Sequence, residues 1–209
     1  SRMKARAFWL LSKLPNGNDY IQKAAADSDE NIRVAAVRAS RINGMKDAGF
    51  LLQLAADPSA QIRREVAVAI RYENQPAVWQ KLAESYKSGD RWYLEALGIA
   101  AEYRWDSYLP AYLEKAGANW NTSPEAKDLV WRSRSAKTPE LLEQMILAEN
   151  SPADLRYYRA LDFQNADLKN QTLKTLLAKG QNEDQVIILR QAAFDTQKPD
   201  ATLLNLAKA

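Results

Sequence analysis

The sequence predicts an all-α protein, and three observations support this fold class. Apolar residues recur at helical spacing along the whole chain, and no stretch alternates as a half-buried strand does. A motif returns about every thirty residues, which is typical of stacked helical hairpins. Finally, four pairs place a polar side chain before a proline, the pattern of a helix N-cap followed by its first residue. These pairs are Asp57-Pro58, Ser123-Pro124, Thr138-Pro139 and Ser151-Pro152.

The elements follow from the helical periods and their breaks. Gly44, Gly89, Gly117 and Gly180 each follow a helical run, where a left-handed C-cap favours glycine. The connections are short, so consecutive helices should be antiparallel neighbours. The predicted helices span 2–14, 18–26, 29–43, 45–56, 59–73, 76–87, 90–103, 107–117, 124–135, 139–149, 152–163, 166–179, 183–196 and 199–208.

Composition excludes much familiar chemistry. Of the 209 residues, 46% are hydrophobic and 26% charged, which is typical of a globular domain, and there is no Cys and no His. Disulfides, Cys/His zinc sites, covalent haem attachment and Ser-His-Asp triads are therefore excluded. Acidic residues such as Asp27, Asp29 and Glu30 stand at helix starts, where capping explains them better than catalysis. We predict no catalytic residue, no metal site and no cofactor in this chain.

Charge and hydropathy also limit the classes of partner that we expect. The net charge is +3, with +5 in residues 1–72 and −2 in residues 73–209. Nucleic-acid binders usually carry a stronger and more clustered basic excess, so a nucleic-acid partner is not favoured. No apolar run reaches the roughly 18 residues that span a bilayer, so no membrane span is predicted. We expect the isolated domain to be monomeric.

An internal repeat organises the chain. The segment Asp27–Val37 matches Asp57–Ala67 at an offset of 30 residues, each with an acidic residue, then Ile-Arg, then small apolar residues. A third copy, Ser151–Leu161, carries Arg156 at three further steps of 31 residues from Arg63. The sequence therefore predicts an α-solenoid of about six stacked helical hairpins, forming one domain over 1–209.

The repeated motif, an acidic residue and proline followed by hydrophobic-Arg and spaced alanines, resembles the first helix of HEAT repeats. That resemblance implies a HEAT-like or armadillo-type superhelix. It also implies a ladder of side chains between neighbouring repeats, which falls on Asp57, Arg33, Arg63 and Arg156. We expect Arg63 to contact an acidic side chain or a helix-terminal carbonyl near a neighbouring repeat, and Arg63→Ala to cost about 1–3 kcal/mol of stability if those hydrogen bonds are largely buried.

A narrower resemblance covers residues 89–99, 104–106, 119–122 and 128–134. These segments resemble the HEAT-type part of large secreted bacterial proteins that also carry a sugar-dehydrogenase-like propeller and a CxxCH haem domain. The resemblance implies a periplasmic or secreted location, with a cytoplasmic one left open. It also assigns any redox chemistry to other domains. The chain begins without Met and ends inside a helical pattern, which favours a segment of a larger multidomain protein.

Aromatic residues concentrate in the middle of the chain, where eleven of the 19 lie between Tyr72 and Trp131. Trp105 and Trp120 fall in or beside predicted loops. Together with the neighbouring Arg104 and Arg132 they form the candidate interaction surface, because Trp and Arg are enriched at binding hot spots. The alternative is that both indole rings tuck under their own loops and cap the core. Solvent exposure of the two rings distinguishes these outcomes.

We therefore predict a non-catalytic interaction or scaffold domain that docks other domains of the same polypeptide or a partner protein. The alternative is a nucleic-acid-binding HEAT-like protein, similar to HEAT-like DNA glycosylases, in which basic residues track phosphates and aromatic rings stack on bases. The basic residues that could do so are Arg33, Arg38, Arg41, Lys46, Arg63, Arg64 and Arg71.

Overall fold

The computed structural model describes residues 2–149 and 154–179, together with Ile187 and Arg190. These residues form helices and turns and contain no strand, which confirms the all-α prediction over this part of the chain. The predicted helices 183–196 and 199–208 lie outside the described residues, apart from Ile187 and Arg190 in the first of them.

In chain order, the helices are α1 (Arg2–Leu11), α2 (Gly17–Ala25), α3 (Glu30–Ile42), α4 (Ala48–Ala55), α5 (Ala60–Ala69), α6 (Pro76–Glu84), α7 (Arg91–Ala100), α8 (Trp105–Ala116), α9 (Pro124–Arg132), α10 (Thr138–Ala148), α11 (Leu155–Leu161) and α12 (Ala166–Ala178), with a short 3-10 helix (Trp120–Thr122) before α9. Most predicted boundaries differ from these by a few residues. The difference arises because the last turn of a helix unwinds into hydrogen-bonded turns that keep the apolar period.

The thirty-residue period is the spacing of helix N-caps. Helices α3, α5, α7, α9 and α11 are each preceded by an Asp or Ser whose side-chain oxygen accepts a hydrogen bond from a backbone N–H of the first turn. These five residues are Asp29, Ser59, Asp90, Ser123 and Asp154. The repeat therefore marks where each first helix of a pair begins.

Of the four predicted capping pairs, only Ser123-Pro124 is confirmed. Ser59, not Asp57, caps α5, and the Asp57 Oδ1 accepts from the Ser59 N–H at 2.8 Å instead. Thr138 is the first residue of α10, and its hydroxyl lies 2.5 Å from the Ser133 hydroxyl. In both cases another polar partner satisfies the side chain. Ser151-Pro152 lies outside the described residues.

The predicted glycine stops are confirmed at three positions. Gly44, Gly89 and Gly117 have φ of +67°, +96° and +84°, the left-handed region that residues with a Cβ rarely adopt. Gly180 lies outside the described residues.

The chain divides into two compact units, Ser1–Tyr112 and Leu113–Ala209. In the first unit, α1 packs on α3, α3 on α5 and α5 on α7, while α4 packs on α6. In the second unit, α9 packs on α11 and α10 on α12. Each first helix of a pair thus contacts the first helix of the next pair within its unit. The single domain over 1–209 and the complete array of six hairpins stay predictions.

Candidate interaction surface

In the first unit, a side-chain ladder joins successive helix pairs. Lys4 Nζ lies 2.5 Å from Asp27 Oδ2. One repeat later, Arg33 makes a two-point contact with Asp57, from Nε to Oδ2 at 2.9 Å and from Nη2 to Oδ1 at 3.1 Å. A planar guanidinium matches a carboxylate in this way, and the side chains are only 15% and 8% exposed. Arg33 and Asp57 therefore form an ion pair between two successive helix pairs, and its place in a HEAT-type ladder stays a prediction.

Arg63 makes the next contact, but to a phenol rather than a carboxylate. Its Nε donates to the Tyr93 hydroxyl at 3.1 Å, and its Nη1 donates to the carbonyls of Asp57 and Pro58 at 2.6 and 3.0 Å. The guanidinium also lies over the Tyr93 ring, 5.2 Å from its centroid. Arg63 therefore contacts the backbone carbonyls that precede its own helix, and in the next helix pair it contacts the Tyr93 hydroxyl rather than an acidic side chain.

The ladder affects ionisation at two of its positions. The hydrogen bond from Lys4 holds the pKa of Asp27 below its ordinary value. Burial raises the pKa of the Tyr93 hydroxyl, which also donates to the Leu82 carbonyl at 3.0 Å. Both groups therefore keep their usual charge state near neutral pH: Asp27 is anionic and Tyr93 is neutral.

In the second unit, Arg156 contacts Asp128 at 3.0 Å and Asp154 at 2.8 Å. Asp128 is 5% exposed, which makes it the buried acceptor of this pair. Lys127, on the same helix, lies 3.4 Å from Glu149. Arg156 therefore forms an ion pair between helices α9 and α11. Its partner Asp128 belongs to the preceding helix pair, whereas the partner of Arg33, Asp57, comes after Arg33 in the chain.

Sequence reasoning missed Lys4, Tyr93, Asp128 and Lys127 as members of these contacts. The repeated motif contains Ile-Arg, and in α7 this Ile is replaced. Tyr93 follows the N-cap of α7 by three residues, as Ile62 follows the N-cap of α5. Aligning the repeats by their N-caps instead of by their arginines would have placed Lys127 with Arg33 and Arg63, each four residues after a cap. The available signal was the cap, because it fixes where the helix begins.

Trp105 is buried, so it forms no exposed patch. It is 3% exposed and begins α8, where its ring meets Trp79 edge-on at a centroid distance of 6.0 Å. Tyr108 and Tyr112 follow at helical spacing and also contact Trp79. The prediction placed Trp105 in a loop because it began this helix at residue 107, two residues too late. The indole instead lies on the core-facing side of α8.

Trp120 is also buried, at 9% exposure, in the short 3-10 helix that packs against α9 and α10. The second alternative of the sequence analysis therefore holds for both indoles, and they do not form an interaction surface. Of the two arginines, Arg104 is half-buried and donates from Nη1 to the Tyr103 carbonyl at 2.9 Å. Arg132 is half-buried at the end of α9, and its carbonyl accepts from Arg134.

A different set of aromatic residues is exposed in the first unit. Tyr72 and Tyr103, which follow α5 and α7, are 68% and 56% exposed. Their rings stack at a centroid distance of 5.9 Å and an interplanar angle of 29°. Ile42, 30 residues before Tyr72, is 67% exposed at the end of α3. We call Ile42, Tyr72 and Tyr103 the tyrosine edge.

One arginine side chain, that of Arg71, contacts this edge. The Arg71 guanidinium lies over the Tyr72 ring, 5.0 Å from its centroid, and its Nε donates to Glu102 at 2.7 Å. The ion pair and the ring stack both join the pair that contains α5 to the pair that contains α7. The two rings are therefore held in place before any partner arrives, which lowers the entropy cost of binding.

Buried charge occurs in the second unit. Lys169 is 2% exposed, and its Nζ lies 3.0 Å from Asp162 Oδ1, which also places a carboxylate oxygen against Arg190. A buried cation needs such a partner because desolvation penalises the charged form. Asp162 thus neutralises two cations that reach it from different helical segments, an arrangement that no sequence motif signalled.

A cavity of about 240 Å³ opens in the first unit beside Trp79 and Tyr108. Its remaining lining residues are Asn74, Pro76, Gln80, Ser107 and Ala111, so the walls offer amide and hydroxyl groups and no charge.

Elsewhere in the described ranges, acidic side chains nowhere group in threes as a metal site would require. None of the helices described is long and apolar enough to cross a bilayer.

Comparisons with known proteins identify no relative. No protein-family model matches the chain, and neither curated proteins nor solved structures include a match. The resemblance to HEAT repeats, and to the segments of secreted multidomain proteins, therefore stays a prediction. The function is therefore inferred from the contacts between successive helix pairs of the first unit and from the exposed tyrosine edge.

Proposed function

We propose that this chain is a non-catalytic interaction domain, an α-solenoid of about six helical hairpins. Its role is to dock other domains of the same polypeptide, or a partner protein, within a larger extracytoplasmic protein. The contacts from α1 to α3, α3 to α5 and α5 to α7 support the array, because solenoid repeats contact chiefly their nearest neighbours. Such arrays leave extended surfaces free for partners. The extracytoplasmic location rests on the family resemblance alone.

The observation that carries this proposal is the stacked pair Tyr72 and Tyr103. Two large aromatic rings remain more than half exposed, although burying them elsewhere would stabilise the protein. Tyr and Arg are enriched among the few residues that supply most of the binding free energy of interfaces. An exposed pair of Tyr rings with Arg71 over one of them is therefore suited to a protein partner.

Ion pairing argues against the nucleic-acid alternative. Of the basic residues that could follow a phosphate backbone, Arg33, Arg38, Lys46 and Arg71 are in ion pairs with Asp57, Glu65, Glu73 and Glu102. Arg63 donates to Tyr93 and to two carbonyls. A phosphate would have to displace these acceptors, which reduces the counterion release that drives nucleic-acid binding.

The test is site-specific photocrosslinking in the full-length parent protein, purified from its source cells. A photoreactive phenylalanine at position 72 should give one dominant crosslinked segment, identified by mass spectrometry. The double variant Tyr72→Ser with Tyr103→Ser should lose binding of the same segment supplied as a separate polypeptide, while its melting temperature stays within about 2 °C of wild type, since exposed side chains contribute little to stability.

Trp92 provides the matched control, because it is 73% exposed in the same unit and lies outside the tyrosine edge. A photoreactive residue at position 92 should not reproduce the crosslink. Retention of the partner by the double variant would contradict the proposal. Duplex DNA that binds at low salt, and is lost on Tyr72→Ser with Tyr103→Ser, would favour the alternative instead.

A further inference from the structure

The cavity beside Trp79 lies next to the tyrosine edge. Two of its lining residues, Asn74 and Ser107, follow Tyr72 and Tyr103 by two and four residues. Two residues span at most about 7 Å between Cα atoms. Helix α8, which carries Ser107 in its first turn, begins two residues after Tyr103. The exposed rings and the cavity therefore lie side by side in the first unit.

The polar groups in the cavity walls already have partners within the protein. Four wall residues make hydrogen bonds: Trp79 to the Leu97 carbonyl, Tyr108 to the Gln75 N–H, Gln80 to Glu84 and Ser107 to the Arg104 carbonyl. Asn74, the remaining polar wall residue, is exposed to solvent. An occupant therefore gains little from new hydrogen bonds in this cavity, whereas burial of its apolar surface stabilises the complex.

The size of the cavity suits one side chain. Its volume of about 240 Å³ is below the roughly 300–1,000 Å³ that small-molecule sites occupy. Pro76, Ala111 and the rings of Trp79 and Tyr108 supply apolar wall. A single large apolar side chain, such as that of leucine or phenylalanine, therefore fits this cavity better than a cofactor does.

Two arginines next to the tyrosine edge lack an acidic partner. Arg41, beside Ile42, is exposed, and Arg104, beside Tyr103, is half-buried; within the part of the chain that the structure describes, neither forms an ion pair. The nearby carboxylates are already engaged: Glu73 with Lys46, Glu102 with Arg71, and Asp106 in another polar interaction. The charge that this surface leaves unpaired is therefore positive, and it complements an acidic partner.

We propose that the tyrosine edge and the cavity together bind an acidic peptide segment of the partner, which inserts one large apolar side chain beside Trp79 and places a carboxylate against Arg104. This inference rests on the proposed function, because it gives the chemistry of the partner at the same edge. The apolar side chain supplies the burial, and the carboxylate fixes the register and selects against basic segments.

The test screens the whole chain against a displayed library of short peptides. A central position is randomised among large and small residues, and its flanks among Glu, Lys and Ser. The expected result is enrichment of a large apolar residue at the centre and of Glu at the flanks. Arg104→Glu should reverse the flank preference to Lys, because it places a carboxylate where the cation was.

Arg91 provides the matched control for charge, because it is exposed at the opposite end of α7. Ten helical residues span about 15 Å, which exceeds the Debye length of about 8 Å at physiological ionic strength. Arg91→Glu should therefore leave the preference for Glu unchanged.

The strongest selected peptide then serves as the probe in solution. Ala111→Phe fills the cavity from an exposed position on α8, so it should weaken binding by about tenfold or more, because the apolar side chain can no longer be buried. Ala116→Phe is the control, since Ala116 is exposed on the same helix but five residues further, on a different face. It should leave binding unchanged, and thermal melts should show that both variants fold.

Three results would overturn the inference. The first is no enrichment, or enrichment without regard to charge. The second is a selected peptide that binds Ala111→Phe or Arg104→Glu as tightly as wild type. The third is self-association of the protein that Ala111→Phe abolishes, which would assign the cavity to a second copy.

Failure of the proposed function would be recognised separately, by the photocrosslink at position 72 and the double variant Tyr72→Ser with Tyr103→Ser, which do not involve the cavity. A partner segment that crosslinks at position 72 and binds Ala111→Phe and Arg104→Glu normally would support the proposed function and reject this inference.

Discussion

At the residue scale, the stability of the first unit depends on how deeply each ion pair is buried. The contact between Arg33 and Asp57 is bidentate and largely shielded from water. By contrast, 48% of the Arg38 side chain is exposed in its pair with Glu65. Solvent and salt screen exposed pairs, so their net contribution is small. Two pairs of the same chemistry, which link α3 to the turn before α5 and to α5 itself, should therefore differ in energy.

We expect Arg33→Ala to lower the free energy of unfolding by about 1–3 kcal/mol, because it leaves the buried Asp57 carboxylate without its cation. Arg33→Lys should recover only part of this loss, since an ammonium group cannot make the two-point contact. Arg38→Ala, the control, should cost no more than about 0.5 kcal/mol. Urea denaturation monitored by circular dichroism measures all three, and equal losses for Arg33→Ala and Arg38→Ala would contradict the argument.

Ionisation of the Tyr93 hydroxyl should make the free energy of unfolding depend on pH. Tyr93→Phe removes the bonds to Arg63 and to the Leu82 carbonyl and keeps the ring beneath the guanidinium, so we expect a loss of about 1–2 kcal/mol near pH 7. Burial raises the pKa of Tyr93 in the folded protein. Above about pH 10 the unfolded chain releases this proton while the folded protein retains it, so stability falls as pH rises toward the folded pKa.

The Phe variant lacks this proton, so its stability should fall less steeply between about pH 9.5 and 11 than that of wild type. Urea denaturation across this range measures the two slopes. All other titrating groups are shared by the two proteins, so the difference isolates Tyr93. Parallel slopes would show that Tyr93 ionises no differently in the folded and the unfolded chain.

At the element scale, the turn between α1 and α2 depends on one glycine. A Cβ on Gly17 would lie 2.1 Å from the Ser12 carbonyl oxygen and 2.7 Å from its carbon, so any side chain there forces the two backbone segments apart. By contrast, a Cβ on Gly49, which is exposed at the start of α4, would lie 3.4 Å from the Asp47 Oδ1, an ordinary contact. The two positions therefore test backbone packing against helix propensity.

We expect Gly17→Ala to destabilise the protein by about 2 kcal/mol or more, the cost of a backbone shift in a packed turn. Gly49→Ala should stabilise it by about 0.5–1 kcal/mol, because alanine lowers the backbone entropy of the unfolded chain and favours the helix. Thermal melts of both variants provide the measurement. A neutral Gly17→Ala would mean that the turn adjusts more freely than its packing indicates.

At the scale of the whole molecule, packing between neighbouring pairs makes stability local. Within the first unit each helix pair contacts its neighbouring pairs, so a local defect should act mainly on the helices that pack against it. Helix α1 packs on α2 and α3, while α7 packs on α5 and α6. A defect at Gly17 should therefore be felt most by the first three helices.

Hydrogen exchange followed by mass spectrometry tests this expectation. In the Gly17→Ala variant, the amides of α1, α2 and α3 should exchange at least about tenfold faster than in wild type, while those of α7 should change little. Uniform acceleration across α1–α7 would indicate that the unit unfolds as a single cooperative body.

The sequence alone determined the helical class of the described residues, the thirty-residue period and the left-handed glycines. These features depend on local spacing: caps, breaks and side-chain register act within a few turns of helix or recur from repeat to repeat. The absence of Cys and His likewise follows from composition.

Only the tertiary structure decided which aromatic rings face water. Trp105 and Tyr103 stand two residues apart, yet the first packs against Trp79 and the second stacks on Tyr72 in solvent. Tyr103 lies in the turns between α7 and α8, where helical periodicity assigns no face, and the predicted start of α8 at residue 107 left Trp105 outside the helix as well. Burial depends on which neighbour a helix meets, and that is set by the packing of the pairs rather than by any one segment.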